Sequence, residues 1–260
     1  MIHWTLEDEV YELTLSRPPC NEIGLELLSG LERFLSQVDP LKGKAVVIHS
    51  TQEAGFCAGA DLRALYTGLV DTPDDKARRT QLTSFINRIH AVMDKLDTLP
   101  LTTVGAIHGV CFGGGFELAL TCDVLVADKT ARFCFPELRL GIIPGFGGIP
   151  RLKRELGNGV VRDLLLTGRS INAKKAQEVG LVSQVVGVGK AHKVAKKVAK
   201  QATLFDGEAL RTCKEFMKPI PHEELQREKQ HFLRLVRRPV VEKALKTFVE
   251  SDDIRPYLPG

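Results

Sequence analysis

Three consecutive glycines, Gly113 to Gly115, constrain the fold of this chain more than any other feature of its sequence. They separate an apolar segment typical of a buried strand, "TTVGAIHG", from an apolar run typical of a helix, "FELAL". The first turn of a helix leaves backbone N–H groups without partners, and glycine lets a ligand approach that backbone closely. The segment therefore predicts a site for an anion or for a developing negative charge.

Two common kinds of phosphate site do not fit the glycine spacing. A dinucleotide site requires G-x-G-x-x-G after the first strand, and a nucleotide phosphate loop ends in G-K-[ST]; the segment has neither pattern. The remaining interpretations are glycines that allow close packing and a site that stabilises an oxyanion. Glu117 favours the second, because a buried carboxylate is costly unless it has a partner or a task. Its structural alternative is a carboxylate that accepts from helix N–H groups.

A second acidic residue shares this apolar setting. Glu137 follows Glu117 by 20 residues and comes directly after Pro136, where a short helix can begin. A strand and a return segment fit between the two glutamates, so that both can face one cavity. Two carboxylates around one water can position it, remove its proton and return a proton elsewhere. The spacing permits this arrangement without requiring it.

Short strands and helices alternate along the first two thirds of the chain, and helices dominate from Gly157 onward. The main predicted elements are strands at Val10–Ser16 and Ala45–Ser50, and helices at Ile23–Val38 and from Gln81 to Leu96. Thr51–Asp61 is predicted to be a loop, with a helix that starts near Asp61. Glycine, proline and clustered charge in Tyr66–Arg79 predict a mobile surface loop. The pattern indicates an α/β core followed by a helical region.

Composition and charge disfavour several classes of protein. The apolar fraction is 43%, and no apolar run approaches the roughly 20 residues of a membrane span. The sequence begins without the basic start and apolar core of a secretory signal, and six scattered cysteines predict free thiols in a cytoplasmic protein. From Val188 to Lys246, 15 Lys and Arg residues face seven Asp and Glu residues. This excess indicates a solvated basic face or a surface for an anionic partner, although scarce aromatics disfavour nucleic acid.

Three ordered blocks carry a family pattern. They are "FCAGADL" (Phe56–Leu62), "HGVCFGGGFELALTCDVLVAD" (His108–Asp128) and "ARFCFPELRLGIIPGFGGIPRL" (Ala131–Leu152), and "LLLTGRSINAKKAQEVGLVSQVV" (Leu164–Val186) extends them. Together they resemble the crotonase superfamily, and most of all its enoyl-CoA hydratases. The resemblance implies an α/β fold, with a crotonase-like spiral of ββα repeats over residues 1–195 and a C-terminal helical trimerisation region over residues 196–260. It also implies a homotrimer or hexamer that binds an acyl-CoA substrate.

The same resemblance implies the residues of an active site. The backbone N–H groups of Ala60 and Gly114 match the oxyanion hole that holds the thioester oxygen, and Glu117 and Glu137 match the acid/base pair. Relatives that isomerise double bonds often keep only one acid, so the pair favours addition of water. The implied contacts to coenzyme A are Ala60, Asp61, Leu62 and Arg63. Arg63 equally fits a solvated helix arginine. Coenzyme A is part of the substrate, so the resemblance implies no separate cofactor and no metal.

Departures from the family pattern fall around the acyl chain. Phe135 replaces the usual glutamine before Pro-Glu, and Ile149-Pro150 replaces the usual Thr-Gln. The predicted acyl pocket consists of Phe112, Phe135, Pro144 and Phe146. Its bulk favours a branched, cyclic or conjugated acyl group. The segment "TFVESDD" lacks the Lys-Arg pair that often ends it, which leaves its contact with coenzyme A in a neighbouring subunit open.

Hydration of a 2-enoyl-CoA is the predicted reaction. Isomerisation of an enoyl-CoA and hydration of a cyclic or conjugated dienoyl-CoA are the nearest alternatives. A non-catalytic trimer that binds acyl-CoA or RNA is a more distant one, and the basic C-terminal third is its only support.

Overall fold

Two sheets form the core of the computed structural model, which describes residues 2–72 and 74–251. Their strands are β1 (Ile2–Glu7), β2 (Val10–Leu15), β3 (Ala45–Ser50), β4 (Gly55–Cys57), β5 (Thr102–Ile107), β6 (Val110–Phe112), β7 (Val124–Asp128), β8 (Arg132–Cys134), β9 (Ile171–Asn172) and β10 (Gln184–Val186). The larger sheet has the order β1-β2-β3-β5-β7-β10 and is parallel except for the β1–β2 hairpin. The smaller has the order β4-β6-β8-β9, and its first three strands are parallel.

Helices fill the connections and most of the C-terminal region. They are α1 (Leu25–Gln37), α2 (Leu62–Val70), α3 (Asp75–Asp97), α4 (Gly114–Ala119), α5 (Gly148–Glu155), α6 (Asn158–Thr167), α7 (Ala173–Glu178), α8 (Ala191–Ala202), α9 (Gly207–Met217), α10 (His222–Leu235) and α11 (Pro239–Glu250). A 3₁₀ helix spans Glu137–Leu140. Within residues 2–72 and 74–251, no helix combines the length and the apolarity that crossing a bilayer requires.

A long strand, a short strand and a helix repeat three times along the chain. The units are β3-β4-α2, β5-β6-α4 and β7-β8 followed by the 3₁₀ helix. Each long strand joins the larger sheet and each short strand joins the smaller one, which is the predicted spiral of ββα repeats. Because β4, β6 and β8 are parallel neighbours, their carboxyl ends meet at one edge, where open sheets commonly bind ligands.

Helix α8 packs on the outer face of the larger sheet. Ala191, Ala195 and Ala199 recur every four residues on one side of the helix and are buried against valines such as Val47 and Val104. Small side chains let the helix lie close to the strands. The predicted division between residues 195 and 196 falls inside this helix, and the division itself stays a prediction.

Part of the C-terminal positive charge is directed into the core. Lys214 and Lys218 are largely buried, and both form ion pairs with Asp123, at 2.8 and 2.9 Å; Lys218 also pairs with Asp97 at 3.0 Å. Carboxylates of the α/β core therefore neutralise these two lysines. This observation weakens the interpretation of the whole basic segment as a surface for an anionic partner.

The prediction of a loop at Tyr66–Arg79 was wrong. Helix α2 continues to Val70, and α3 already begins at Asp75, so only four residues separate the two helices. Asp74 caps α3, because its carboxylate accepts from the Lys76 and Ala77 N–H groups. The clustered charges of this segment therefore form a helix cap and mostly exposed positions on helices. Pro73, and the end of "TFVESDD" at residues 252 and 253, lie outside the described residues.

Candidate active site

Backbone turns that follow β4 and β6 bring two N–H donors together. Gly59 has a φ of +104°, and a Cβ there would lie 2.9 Å from Phe112 O and 3.2 Å from Gly114 N. A Cβ on Gly114 would in turn lie 3.4 Å from Ala60 N. Among the hydrogen bonds within residues 2–72 and 74–251, none uses the Ala60 or Gly114 N–H as its donor. The predicted oxyanion-hole residues are therefore adjacent, and their N–H groups are available to an acceptor.

Glu117 occupies the first turn of α4 and is only 2% exposed. Its Oε1 accepts from the Phe146 and Gly148 N–H groups, each at 2.7 Å. Burial raises the pKa of Glu117 to about 7, although these two donors and the Arg151 charge favour the ionised form. The carboxylate can therefore bind or release a proton near neutral pH.

Glu137 begins the 3₁₀ helix on the other side of the glycine turn. A Cβ on Gly113 would lie 2.6 Å from Glu137 Oε1, while Gly113 O accepts from the Glu117 N–H at 2.9 Å. Glu137 Oε2 is shielded from solvent and has no hydrogen-bond partner among the described residues. Burial and the charge of Glu117 raise the pKa of Glu137 well above its usual value. Two carboxyl groups with raised pKa values thus flank one turn.

A mostly apolar cavity of about 500 Å³ opens beside Ala60, while Gly114, Glu117 and Glu137 are not among its lining residues. Ala60, Asp61 and Phe146 lie in its wall, together with side chains of α2 and α3 such as Leu65, Leu82 and Phe85. Its volume lies within the usual range of small-molecule pockets. The cavity can hold an apolar chain whose reactive end lies near Ala60, which neighbours the glycine turn.

The four predicted acyl-pocket residues occupy different positions. Phe146 lies in the cavity wall and packs edge-on against Phe85, with ring centroids 6.0 Å apart. Phe135 stacks on Phe116 at 4.6 Å in the core, and its ring also lies 3.0 Å from where a Cβ on Gly148 would be. Phe112 and Pro144 are not among the residues that line the 500 Å³ cavity. The roles of all four in binding an acyl chain stay predictions.

The three predicted coenzyme A contacts beyond Ala60 also have protein partners. Asp61 caps α2 by accepting from the Ala64 N–H at 2.9 Å, and it pairs with Arg17 at 2.6 Å. Leu62 is half-buried at the start of α2. Arg63 is exposed, donates to Val249 O at 3.0 Å and lies 6.0 Å above the Phe248 ring. The guanidinium is thus directed toward α11, and its contact with coenzyme A stays a prediction.

Sequence reasoning missed a third buried glutamate. Glu228 on α10 is 4% exposed, and its carboxylate accepts from the Gly147 and Ile149 N–H groups, each at 2.7 Å. Leu225 and Phe232, at three and four residues from Glu228, lie on the same buried face of the helix. That spacing was the available signal, because it predicts that Glu228 points inward.

A group of three side chains with donor atoms suited to a metal lies on the α8 side of the larger sheet. The donor atoms of Glu12, His49 and His192 lie within 4.8 Å of one another. Lys196 Nζ lies 2.6 Å from Glu12 Oε2 and neutralises that carboxylate. The group is not part of the candidate active site.

His90 supports the turn beside Glu117 and makes the stability of the fold depend on pH. It is 3% exposed, and its Nε2 donates to Gly145 O at 2.8 Å. Burial lowers the pKa of His90 to about 4, so the unfolded chain binds a proton here between about pH 6.5 and 4 and the folded chain does not. We expect the contribution of this group to the free energy of unfolding to fall by about 2 kcal/mol between pH 7 and 5.

Urea unfolding of the wild type and His90→Gln at both pH values measures this effect as a difference. The wild type should lose more stability than His90→Gln as the pH falls. Equal losses would show that His90 does not control this pH dependence.

Known structures share this fold. An enoyl-CoA hydratase from Bacillus anthracis matches with a TM-score of 0.76 and 31% identity, over 96% of each chain. The spiral core with its C-terminal helices is the crotonase fold, as predicted.

Sequence comparison defines the family. The family model described as enoyl-CoA hydratase/isomerase matches residues 5–255. Enoyl-CoA hydratase 2 of Arabidopsis thaliana, whose name places it in mitochondria, is 35% identical over 198 residues, which are 74% of this chain and 62% of the plant protein. The enoyl-CoA hydratase/isomerase YngF of Bacillus subtilis is 36% identical over 187 residues, 71% of this chain and 68% of that protein. The chain belongs to the enoyl-CoA hydratase/isomerase family.

Proposed function

We propose that this protein catalyses the reversible hydration of a 2-enoyl-CoA thioester to a 3-hydroxyacyl-CoA. The observation that carries the proposal is that Glu117, with a pKa of about 7, and Glu137, whose pKa is raised well above its usual value, flank two backbone N–H groups without protein acceptors. Isomerisation only moves a proton between carbons of one substrate, and one acid can do this. Addition of water requires a base for the water and an acid for the α-carbon, and this site offers both.

The oxyanion donors activate the substrate. In the proposed complex, the thioester oxygen accepts from the Ala60 and Gly114 N–H groups, which polarises the C=O bond and makes the β-carbon electrophilic. As water attacks that carbon, electron density moves onto the thioester oxygen as an enolate. Donors that are already in place stabilise this charge without a cost of reorganisation.

The two glutamates handle the protons. Ionised Glu117 removes a proton from the attacking water as its oxygen bonds to the β-carbon. Neutral Glu137 then gives its proton to the α-carbon as the enolate collapses, so that one water has been added across the double bond. Return of the proton from Glu117 to Glu137 restores the starting state. Dehydration follows the same steps in reverse.

The family and the apolar cavity support proposals for the substrate position, the cofactor requirement and the oligomeric state. We propose that the acyl chain lies in the apolar cavity, with coenzyme A along Ala60–Arg63, and that the reaction needs no cofactor besides the coenzyme A of the substrate. We also propose a homotrimer or hexamer located in the cytoplasm. Bulky Phe135 and Phe146 near Glu117 support a branched, cyclic or conjugated acyl group.

Mass analysis of products formed in ¹⁸O-labelled water tests the reaction class. The panel should contain linear, branched and cyclic 2-enoyl-CoA thioesters together with a 3-enoyl-CoA and a dienoyl-CoA. Hydration adds one water that carries the label, whereas isomerisation leaves the mass of the substrate unchanged. Isomerisation without label uptake across the panel would replace hydration as the proposed function.

The rate of hydration should depend on pH through Glu117. Because its pKa is raised to about 7 and the ionised form is the base, kcat/KM should fall about tenfold per pH unit below pH 7. Initial rates between pH 5 and 9 give this profile. The residual kcat/KM of Glu117→Gln should not show this steep fall below pH 7. If that variant keeps the fall, another group sets the pH dependence.

A further inference from the structure

Four successive backbone N–H groups alternate between two buried carboxylates. The Phe146 and Gly148 N–H groups donate to Glu117, and the Gly147 and Ile149 N–H groups donate to Glu228, all at 2.7 Å. The turn therefore lies between a glutamate of the α/β core and a glutamate of the C-terminal helix α10. Each carboxylate fixes the orientation of every second peptide in this turn.

The local sequence explains why this turn has four N–H groups to donate. Helix α5 begins at Gly148, and the N–H groups at the start of a helix have no intrahelical acceptors. Gly147 has a φ of +101°, and a Cβ there would overlap the Arg151 guanidinium. Arg151 is fully buried and donates to Phe146 O at 3.2 Å, while Asp94 and Asp97 hold its other nitrogens. The peptides are thus fixed on their carbonyl side as well.

The two glutamates also interact through their charges. Burial and the charge of Glu117 raise the pKa of Glu228, while the Gly147 and Ile149 donors and Arg151 lower it. Coupling between two titrating sites is reciprocal, so the charge of Glu228 also acts on Glu117. Asp94 and Asp97 form ion pairs with Arg151 and balance its charge. His90 on α3 is neutral at pH 7, and its Nε2 donates to Gly145 O.

We infer that Glu228 is a positioning residue for the base of the reaction: it holds the Gly147 and Ile149 N–H groups so that the Phe146 and Gly148 N–H groups stay directed at Glu117. This role rests on the proposed function, in which Glu117 is the base. It also makes the catalytic turn depend on α10, a helix of the C-terminal region.

Two substitutions of Glu228 should move the pKa of Glu117 in opposite directions. Glu228→Gln keeps the length of the side chain but cannot carry a negative charge and loses one of the two acceptor oxygens. The lost charge acts directly on Glu117, so the pKa of Glu117 should fall. Glu228→Asp keeps the carboxyl group but is too short to reach both donors, so the Gly147 and Ile149 N–H groups lose their fixed orientation and the pKa of Glu117 should rise. The Glu117 carboxyl signal in ¹³C-glutamate-labelled protein, assigned with Glu117→Gln, reports this pKa without any need for activity.

Kinetics supply the second readout. Misplacement of the base should lower kcat by about tenfold to a hundredfold in both variants, with KM within about threefold of the wild type. Glu224→Gln is the matched control, because Glu224 lies one turn earlier on α10 and makes a surface ion pair with Lys153. It should leave kcat and the pKa of Glu117 unchanged.

An unchanged pKa of Glu117 in both Glu228 variants, or shifts of the same sign, would overturn the inference. If neither variant folds, Glu117→Gln gives the reciprocal measurement, in which the pKa of Glu228 should fall and an unchanged value contradicts the coupling. These titrations need no substrate. A wild type that does not hydrate any 2-enoyl-CoA would therefore contradict the proposed function. The titrations would still show whether Glu228 positions Glu117.

Discussion

Replacing Glu117 with glutamine should lower kcat for hydration by about a thousandfold, with little change in KM. The amide cannot remove a proton from water, and a positioned base typically contributes about 10²- to 10⁴-fold. The fold should survive, because the amide oxygen can still accept from the Phe146 and Gly148 N–H groups. Steady-state hydration kinetics measure the loss. The exposed Glu53→Gln is the control for the same chemical change away from the site.

Glu137→Gln should cause a loss of similar size and a gain in stability at high pH. The pKa of Glu137 is raised in the folded state, so its contribution to stability is present at low pH and is lost as the pH rises through that value. Glutamine removes this loss. Thermal unfolding should therefore show the variant to be more stable than the wild type at pH 8 but not at pH 4. An inactive and less stable variant would mean that the loss of activity reflects damage to the fold.

Gly114→Pro should lower kcat/KM by about a hundredfold to a thousandfold. Removing one oxyanion donor typically costs about 3 to 4 kcal/mol of barrier, and proline has no N–H to donate. Gly114 is the first residue of α4, a position at which helices tolerate proline.

Gly114→Ala separates the loss of the donor from the added bulk. Both substitutions add a Cβ that would lie 2.7 Å from the Phe146 ring. Alanine keeps the backbone N–H, whereas proline removes it. The alanine variant should therefore retain at least about tenfold more activity than the proline variant. Equal kinetics for the two variants would show that this N–H does not stabilise the transition state.

The sequence predicted the position of the glycine turn and of Glu117 in the first turn of the helix that follows it. Glycines between a buried strand and a helix permit little other than a close backbone approach, and Glu117 lies in the first turn of α4 as expected. Glu137 required the family resemblance to give it a role, since spacing alone did not join it to Glu117. The fold class also came from the ordered blocks, which span several ββα units.

Other features depended on contacts between distant parts of the chain. Strands β4, β6 and β8 have three residues each, too few for a period-two pattern to show. Arg63 resembled a coenzyme A contact, and its hydrogen-bond acceptor on α11, Val249 O, follows 186 residues later in the sequence. Glu228 lies in a charged helix, and only the packing of α10 on the turn before α5 reveals its hydrogen bonds.

A crystal structure of Glu137→Gln with a bound 2-enoyl-CoA tests whether Ala60, Gly114 and Glu117 form the active site, because the variant should bind the substrate without converting it. We expect the thioester oxygen to lie within hydrogen-bond distance of both Ala60 N and Gly114 N, with the β-carbon facing a water held by Glu117. A thioester oxygen bound elsewhere, or a β-carbon with no water between it and Glu117, would contradict the proposed hydration mechanism.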